Sequence, residues 1–287
     1  MPPCPETETM MTLRMFSRGV AAVPMATAWH LADLGEARGR QQIYLAQAPQ
    51  RLRTLAERAL IESALSSCRM DGVEVDRLQV GTAAYGDPPV HSGYDEEVQA
   101  YQTALSRIHR DASNLPIAED TILTLHRTLR GETEDAGQYR TKTGDTGEDC
   151  PDGRGRVRFK AVPVRCIADY MQQLMELWQS CERELWVHPL IAVAAFNLDF
   201  RCIRPFSNGN GRVSRLLLQL QLNQLGFEAG RHVALDRLIE ENRQRYGETL
   251  EQSSRGWHEK RHDPWPYMNC LLHIVKLACR EFEERLK

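Results

Sequence analysis

The sequence predicts an all-α fold with one small β-hairpin. Apolar residues recur near a spacing of 3.6 through most of the chain, which is typical of amphipathic helices. One segment, Pro189–Phe200, is apolar nearly all round and is expected to be a buried central helix. Only Arg156–Val162 alternates as a strand would, within a stretch rich in Gly, Asp and Arg, residues 137–163.

The helices follow from this periodicity in chain order. Residues 1–28 place Glu6 and Glu8 ahead of a mildly apolar stretch, so we interpret them as an N-terminal extension and not as a signal peptide. Pro49 and Gly72 bound the first clear helix, as proline and glycine often do. The expected helices are Gln50–Arg69, Glu96–His109, Pro116–Leu129, Ala168–Leu185, Pro189–Phe200, Gly211–Leu225, Leu235–Glu251 and Pro266–Arg285.

Composition excludes several function classes. Lys and Arg number 36 against 39 Asp and Glu, and this formal charge of −3 does not favour nucleic-acid binding. The longest apolar runs, residues 188–196 and 216–222, are too short to span a membrane. The eight cysteines are scattered without a Cys-x-x-Cys pair, which argues against a zinc site or disulfide framework and predicts a cytoplasmic location. His258 and His262 are interpreted as structural, so no metal site is predicted.

The most informative segment is residues 203–215, Ile-Arg-Pro-Phe-Ser-Asn-Gly-Asn-Gly-Arg-Val-Ser-Arg. Gly209 and Gly211 allow positive φ and a close approach of other groups to the backbone. The helix that follows begins with unpaired N–H groups and the positive end of its dipole. Arg212 and Arg215 are three residues apart and share one helical face, where guanidinium groups can bind an anion bidentately. The alternative is a plain helix–turn–helix corner with solvated arginines. The flanking Pro205-Phe206 and the arginine pair favour a functional turn, so the segment predicts a phosphate site.

This segment resembles the motif of the Fic (Fido) family, His-Pro-Phe-x-Asp/Glu-Gly-Asn-Gly-Arg-x-x-Arg. Arg204 stands in the place of the motif His, and Asn208 stands in the place of the acid. Further segments resemble the family at Leu125–Leu129, Gly137–Arg140, Arg156–Pro163 and Asn242–Tyr246. The resemblance implies the helical Fic fold with a hairpin flap. It divides the chain into an extension (1–28), N-terminal helices (29–110), and a Fic core with C-terminal helices (111–287).

Residues 66–72, Ser-Ser-Cys-Arg-Met-Asp-Gly, resemble the inhibitory helix of the family, Ser/Thr-x-x-x-Glu-Gly. The resemblance places this helix at about residues 60–72 and implies regulatory roles for Ser67, Asp71 and Gly72. In the family the Glu pairs with the second motif arginine, here Arg215. Asp71 is one methylene shorter than that Glu. The alternative is an ordinary helix end with a solvated Asp71.

Members of the family transfer AMP from ATP to a protein hydroxyl, with the His as general base and the acid as Mg²⁺ ligand. The resemblance implies catalytic positions at Arg204, Asn210 and Arg212. It implies nucleotide-binding positions at Asn208, Gly209, Asn210, Gly211, Arg212, Arg215, Asn242 and Tyr246. Arg204 stays protonated and cannot act as the base, whose help is typically worth about 10²–10⁴ in rate. Asn208 offers Mg²⁺ only a neutral oxygen, so the cation would be weakly anchored.

The sequence thus predicts a Fic-type protein that binds ATP or a related phosphate ligand, with weak or absent AMP transfer. The resemblance further implies a protein target at the flap, residues 156–163, and a homodimer as in other members; neither nucleic acid nor a membrane is an expected partner. Two alternatives stay open. One is an active transferase or hydrolase with altered chemistry and another base, such as Asp71. The other is a non-catalytic interaction protein.

Overall fold

Helices form nearly all the regular structure of this protein. The structure is a computed structural model that describes residues 11–17, 22–47, 49–73, 96–142 and 161–287. Its α-helices are α1 (Thr12–Ser17), α2 (Met25–Gln47), α3 (Pro49–Met70), α4 (Glu96–Asp111), α5 (Glu119–Arg130), α6 (Ile167–Glu184), α7 (Pro189–Ile203), α8 (Asn210–Gln224), α9 (Ala229–His232), α10 (Leu235–Glu241), α11 (Arg243–Ser254) and α12 (Trp265–Leu286). Short 3₁₀ turns lie at Ala112–Asn114 and Val164–Cys166.

The all-α prediction is confirmed, since these described ranges contain helices and turns but no strand. Most of the predicted hairpin, residues 156–160, lies outside the described residues. Residues 161–163 are irregular.

Two successive helices, α7 and α8, form the centre of the core. Every residue from 190 to 203 and from 210 to 223 is buried. The first of these helices packs against α1, α6, α8, α11 and α12. Its start is defined by Pro189 at the first helical position and by His188, whose Nδ1 accepts a hydrogen bond from the backbone N–H of Leu190 at 3.2 Å. The loop between α7 and α8 therefore joins two fully buried, closely packed helices.

Part of the predicted N-terminal extension is docked on this centre. Leu13 and Phe16 of α1 are buried. The carboxylate of Asp199, in α7, accepts hydrogen bonds from the N–H and Oγ1 of Thr12, both at 2.7 Å, and from Leu13 N at 3.1 Å. Trp257 Nε1 donates to the same carboxylate at 2.8 Å. Burial raises the pKa of Asp199 to about 6, and these hydrogen bonds oppose that rise.

Several predicted helix bounds differ from the structure; for example, the helix predicted to end at Phe200 continues to Ile203. The helix predicted at Leu235–Glu251 is two helices, because Asn242 leaves the helical conformation (φ −100°, ψ 20°) and its Nδ2 donates to the Leu238 carbonyl at 2.8 Å. The helix predicted from Pro116 begins only at Glu119. The sequence also did not predict α2, which packs along α12.

The cysteines differ from one another in state. Cys68, Cys181, Cys202, Cys270 and Cys279 are buried free thiols. Cys166 is in a disulfide bond, whereas the scattered spacing argued against a disulfide framework. Across the described residues, no helix combines the length and apolarity that crossing a membrane requires.

Candidate anion-binding site

The loop between α7 and α8 is closed by its own residues. Arg204 ends α7 in the left-handed conformation (φ 49°, ψ 66°), and Gly209 opens α8 at φ 76°. Asn210 bridges the loop: its Oδ1 accepts from Phe206 N at 3.0 Å, and its Nδ2 donates to Phe206 O at 2.8 Å. This closure fixes the direction in which the first N–H groups of α8 point.

His126, from α5, supports the loop from behind. Its ring stacks on Phe206 with centroids 3.8 Å apart. Nδ1 accepts from the N–H of Gly137 at 3.0 Å, so Nε2 carries the proton and donates to the Asn208 carbonyl at 3.2 Å. Burial lowers the pKa of His126 to about 4, although the bond to Asn208 opposes this. The imidazole is therefore neutral at pH 7, with both nitrogens occupied.

Arg140 holds the backbone at the other end of the loop. Its Nε donates to the Arg204 carbonyl at 2.8 Å, and its backbone N donates to the Pro205 carbonyl at 2.9 Å. Its Nη2 donates to the Val162 carbonyl. The Gly137–Arg140 segment thus fixes the backbone of Arg204 in its unusual conformation, which costs about 1–2 kcal/mol for a residue with a side chain.

The carboxylate of Asp71 lies between the two motif arginines. Its Oδ1 is 2.7 Å from Arg215 Nη2, and its Oδ2 is 3.2 Å from Arg212 Nε. Arg215 also donates from Nε to Ser67 Oγ at 2.7 Å and from Nη2 to Ser67 O at 2.9 Å. The two arginine side chains are 5% and 4% exposed, and the Asp71 side chain is 19% exposed. The shorter acid therefore reaches Arg215, and the structure brings Ser67, Asp71 and both arginines together.

Gly211 makes this approach of the carboxylate possible. A Cβ atom at this position would lie 2.8 Å from Asp71 Oδ1 and 3.0 Å from Arg215 Nη1. It would also lie 3.1 Å from Arg201 Nη1. A Cβ atom would therefore force the Asp71 carboxylate to shift and would crowd the two guanidinium groups, whereas glycine leaves room for them to meet over the first turn of α8.

Gly72 ends the helix that carries the acid. It adopts φ +84°, and Val73 N donates back to Cys68 O at 3.1 Å. This is the usual left-handed termination of a helix. The helix α3 ends at Met70, so Asp71 is the first residue after it. Its side chain can therefore turn toward α8.

The charges of this pair are mutually stabilised. Burial raises the pKa of the Asp71 carboxyl, but Arg215 and Arg212 outweigh burial and hold that pKa below its ordinary value. Burial lowers the pKa of Arg215, but Asp71, Tyr101 and Asp236 raise it above its ordinary value. Both groups are therefore ionised at neutral pH.

Two carboxylates at this site escaped the sequence analysis. Glu97 Oε2 lies 2.7 Å from Arg212 Nη1. Asp236 Oδ1 lies 3.5 Å from Arg215 Nε and accepts from Tyr101 OH at 2.9 Å. Both acids stand in the first turn of a helix, where the helix dipole alone accounts for an acidic residue. The positions of Glu97 and Asp236 in the sequence therefore did not indicate that they pair with the arginines of the site.

The remaining predicted residues border the site. Asn208 is exposed, and its backbone carbonyl is the group bound by His126. The segment of Asn242 and Tyr246 lies next to the end of α3, because Arg243 Nη2 donates to the Met70 carbonyl at 3.2 Å.

Tyr246 belongs to a buried chain of hydrogen bonds that reaches α8. Its hydroxyl lies 2.9 Å from that of Tyr267, which donates to Asn197 Oδ1 at 2.7 Å. Asn197 Nδ2 in turn donates to the Ser214 carbonyl at 2.9 Å, and Ser214 Oγ donates to Asn197 Oδ1 at 3.1 Å. The chain joins α7, α8, α11 and α12 behind the arginines.

The donors of this site do not favour a protein-bound cation. Asp71, Glu97 and Asp236 are each engaged by Arg212 or Arg215. Within the described parts of the chain, no group of three or more His, Cys, Asp or Glu residues could hold a metal ion. An anion is the better fit.

Comparison with known proteins identifies relatives of this segment. The Fic/DOC family model matches residues 116–222. Protein adenylyltransferase fic-1 from Caenorhabditis elegans is 29% identical over 113 residues, which are 39% of this chain and 20% of that protein. Protein adenylyltransferase Fic from Drosophila virilis is 30% identical over 115 residues, 39% of this chain and 21% of that protein. The chain thus spans about a fifth of the length of these curated relatives.

Solved structures resemble a larger part of the chain. A Fic family protein from Desulfovibrio desulfuricans G20 matches with a TM-score of 0.71 and 22% identity over 92% of this chain and 76% of that one. Fic-1 from C. elegans matches with a TM-score of 0.68 and 19% identity over 91% and 74% of the two chains. At these identities the likeness concerns the fold.

Proposed function

We propose that this chain, whose residues 116–222 match the Fic/DOC family model, binds ATP or a related phosphate ligand with little or no AMP transfer. The fold is that of the Fic proteins, and the curated relatives at about 30% identity are protein adenylyltransferases. Binding is assigned to the arginine pair and the first turn of α8. Loss of transfer is assigned to the changes at Arg204 and Asn208.

The observation that carries the proposal is the position of the Asp71 carboxylate. An anion already lies between Arg212 and Arg215, over the Gly211 backbone. A phosphate group has more acceptor oxygens than a carboxylate and suits the same guanidinium groups. We infer that a phosphate ligand and Asp71 compete for one place.

The residues around the loop argue against rapid transfer. Arg204 stands where the motif has its general base, and a guanidinium cannot accept the proton. His126 cannot replace it, because Nδ1 accepts from Gly137 and the pKa of His126 is lowered to about 4 by burial. Without a general base, transfer is expected to be slower by about 10²–10⁴.

The alternative in which Asp71 acts as a base has less support. Both oxygens of its carboxylate accept from arginines, and these arginines lower its pKa despite burial. A carboxylate so stabilised is a weak base. Mg²⁺, if it enters with a nucleotide, would be bound mainly by the phosphates, because Asn208 offers an amide and the nearby acids are paired.

The test is a binding series on the purified chain. ATP, ADP, AMP and inorganic phosphate are titrated by calorimetry, with and without Mg²⁺, into the unchanged protein, Asp71→Ala and Arg215→Ala. We expect ATP to bind Asp71→Ala at least tenfold more tightly than the unchanged protein, since removing one partner of a buried pair frees the other. Arg215→Ala should lose binding.

The control and a second assay complete the test. Asp120→Ala removes an exposed acid from the first turn of α5 and should bind as the unchanged protein does. Labelled ATP is then incubated with Asp71→Ala and lysate proteins. AMP transfer at the rate of an active Fic enzyme would refute the proposed loss of transfer, and absence of binding in Asp71→Ala would refute the proposed ligand.

A further inference from the structure

We propose that Glu97 is a second gating carboxylate, by which we mean an acid that occupies a ligand-binding arginine until a ligand displaces it. The inference rests on the proposed function, because it concerns access to the same arginines. In this proposal Glu97 holds Arg212, and Asp71 accounts for only part of the competition with a ligand.

The two acids occupy different nitrogens of one guanidinium. Asp71 Oδ2 lies 3.2 Å from Nε of Arg212, and Glu97 Oε2 lies 2.7 Å from Nη1. The shorter of the two contacts is therefore the one made by Glu97. Since a guanidinium carries five N–H donors in fixed directions, loss of one acid leaves the bond to the other in place.

The two acids also belong to separate elements. Asp71 follows the end of α3, whereas Glu97 lies in the first turn of α4. The latter helix is fixed by Val98, Tyr101 and Leu105, whose exposures are all 0%. A movement of the α3 end that withdraws Asp71 would therefore leave Glu97 on Arg212.

The two acids differ in solvent exposure, so their ion pairs should respond differently to salt. The Glu97 side chain is 40% exposed, against 19% for Asp71, while the side chain of Arg212 is 5% exposed. A partly exposed acid on a buried arginine is accessible to counterions, so its bond weakens as the salt concentration rises. The contribution of Glu97 should therefore depend on salt more strongly than that of Asp71.

A simpler account of Glu97 is that an acid in the first turn complements the helix dipole. Glu96 has the same charge, stands in the same turn and is exposed. If the dipole were the whole reason, the two residues would be equivalent. The contact of Glu97 with Arg212 distinguishes them and makes Glu96 the matched control.

The experiment measures ATP affinity by calorimetry at low salt in full-length variants. Glu97→Gln and Glu96→Gln are each made in the unchanged chain and in Asp71→Asn, so that the shape of each side chain is kept. Loss of one partly exposed ion pair should raise ATP affinity about fivefold in Glu97→Gln, in both backgrounds. Glu96→Gln should stay within about twofold.

A third background tests whether the contact is direct. When Arg212→Gln removes the partner, ATP affinity should itself fall, so the readout in this background is the free energy of unfolding. Glu97→Gln should then change that free energy by no more than Glu96→Gln does, because only the general field of the carboxylate is lost. Raising NaCl should also reduce the fivefold gain. An equal effect of Glu97→Gln on the free energy of unfolding with and without Arg212 would overturn the inference.

The outcomes separate the two proposals. If ATP binds tightly to Asp71→Asn but Glu97→Gln equals Glu96→Gln, the inference about Glu97 is wrong and the proposed function stands. If ATP binds none of the proteins, including the variant that combines Asp71→Asn with Glu97→Gln, both are wrong. Thermal melts of each variant confirm that the exposed substitutions leave the fold intact.

Discussion

Asp71 Oδ1 lies 2.7 Å from Arg215 Nη2, so a side chain at the end of one helix neutralises an arginine in the first turns of another. The two residues are 144 positions apart in the sequence. The Asp71 carboxylate thus occupies the guanidinium group of Arg215, and an external anion could bind there only by displacing this carboxylate.

Gly211→Ala should destabilise the protein through the ion pair. The added Cβ would lie 2.8 Å from Asp71 Oδ1 and 3.0 Å from Arg215 Nη1, so the carboxylate must move. We expect a loss of about 1–3 kcal/mol in the free energy of unfolding, measured by urea denaturation.

A second glycine and a second background serve as controls for this change. Gly247→Ala, in α11, meets nothing within 4 Å and should stabilise the protein by up to about 1 kcal/mol. In an Asp71→Ala background, Gly211→Ala should lower the unfolding free energy by less, because the carboxylate that the Cβ would meet is absent. An equal cost in both backgrounds would show that the clash is not with the carboxylate.

Glu240→Gln should loosen the end of α3. Arg69 donates from Nε to Glu240 Oε1 at 2.8 Å and from Nη2 to Oε2 at 2.6 Å, which is a bidentate pair. We expect a loss of about 1 kcal/mol in unfolding free energy, together with tighter ATP binding because Asp71 is less firmly held. A double-mutant cycle with Arg69→Gln measures the coupling.

The matched control is an exposed ion pair. The side chains of Arg183 and Glu184 are 69% and 50% exposed, so Arg183→Gln should change neither stability nor binding measurably. If Glu240→Gln behaves in the same way, the bidentate pair does not position Asp71.

His126→Phe should weaken the loop while keeping its ring stacking. A phenyl ring can still lie on Phe206, but Gly137 N–H loses its acceptor and the Asn208 carbonyl loses its donor. We expect a loss of about 2 kcal/mol, seen as a lower melting temperature, since two partly buried polar groups lose their partners.

Another buried histidine provides the comparison. Burial also lowers the pKa of His109 to about 4, but this ring lies 3.4 Å from Gln219, away from the loop. His109→Phe should therefore leave phosphate binding unchanged, whereas His126→Phe should weaken it. Equal binding by the two variants would contradict a role of His126 in shaping the loop.

The buried Asp199 should make stability depend on pH. Burial raises its pKa to about 6 in the folded protein, so the folded state holds a proton more tightly than the unfolded chain. Stability is therefore lost as the pH rises from about 4 through 6, by up to about 3 kcal/mol for this group.

The measurement compares the protein with Asp199→Asn across this range. Because the amide does not titrate, the difference in unfolding free energy between the two proteins isolates Asp199. As the pH falls from 7 to 4, the unfolding free energy of the unchanged protein should rise relative to that of Asp199→Asn. A difference that does not vary with pH would mean that the hydrogen bonds from Thr12 and Trp257 hold the pKa of Asp199 near its ordinary value.

Local patterns in the sequence predicted the parts of the site that lie within one element. The spacing of Arg212 and Arg215 gave their shared face, and the glycines gave the close backbone approach. The resemblance of residues 66–72 to an inhibitory helix led to Asp71 and Ser67, which the structure brings to Arg215.

Apart from the Asp71–Arg215 pair, which the resemblance implied, the contacts between distant segments of the site were not predicted. Glu97 and Arg212 are 115 positions apart, and His126 and Asn208 are 82 apart. Each of these side chains has an ordinary local explanation, so its partner becomes visible only after the helices pack. The missed helix α2 has a different cause: its apolar Met25, Trp29 and Ile43 are 58–73% exposed, which obscures the period of its buried face.

The hydrogen bonds from Tyr246 through Tyr267 and Asn197 to Ser214 have a consequence for recognition. They fix the rotation of α8 about its own axis as well as its position along that axis. A slip by a single residue would turn the side chains of Arg212 and Arg215 by about 100°, away from the site. The directions of the two arginine side chains are thus set by hydrogen bonds among neutral amides and hydroxyls that join α8 to its neighbours.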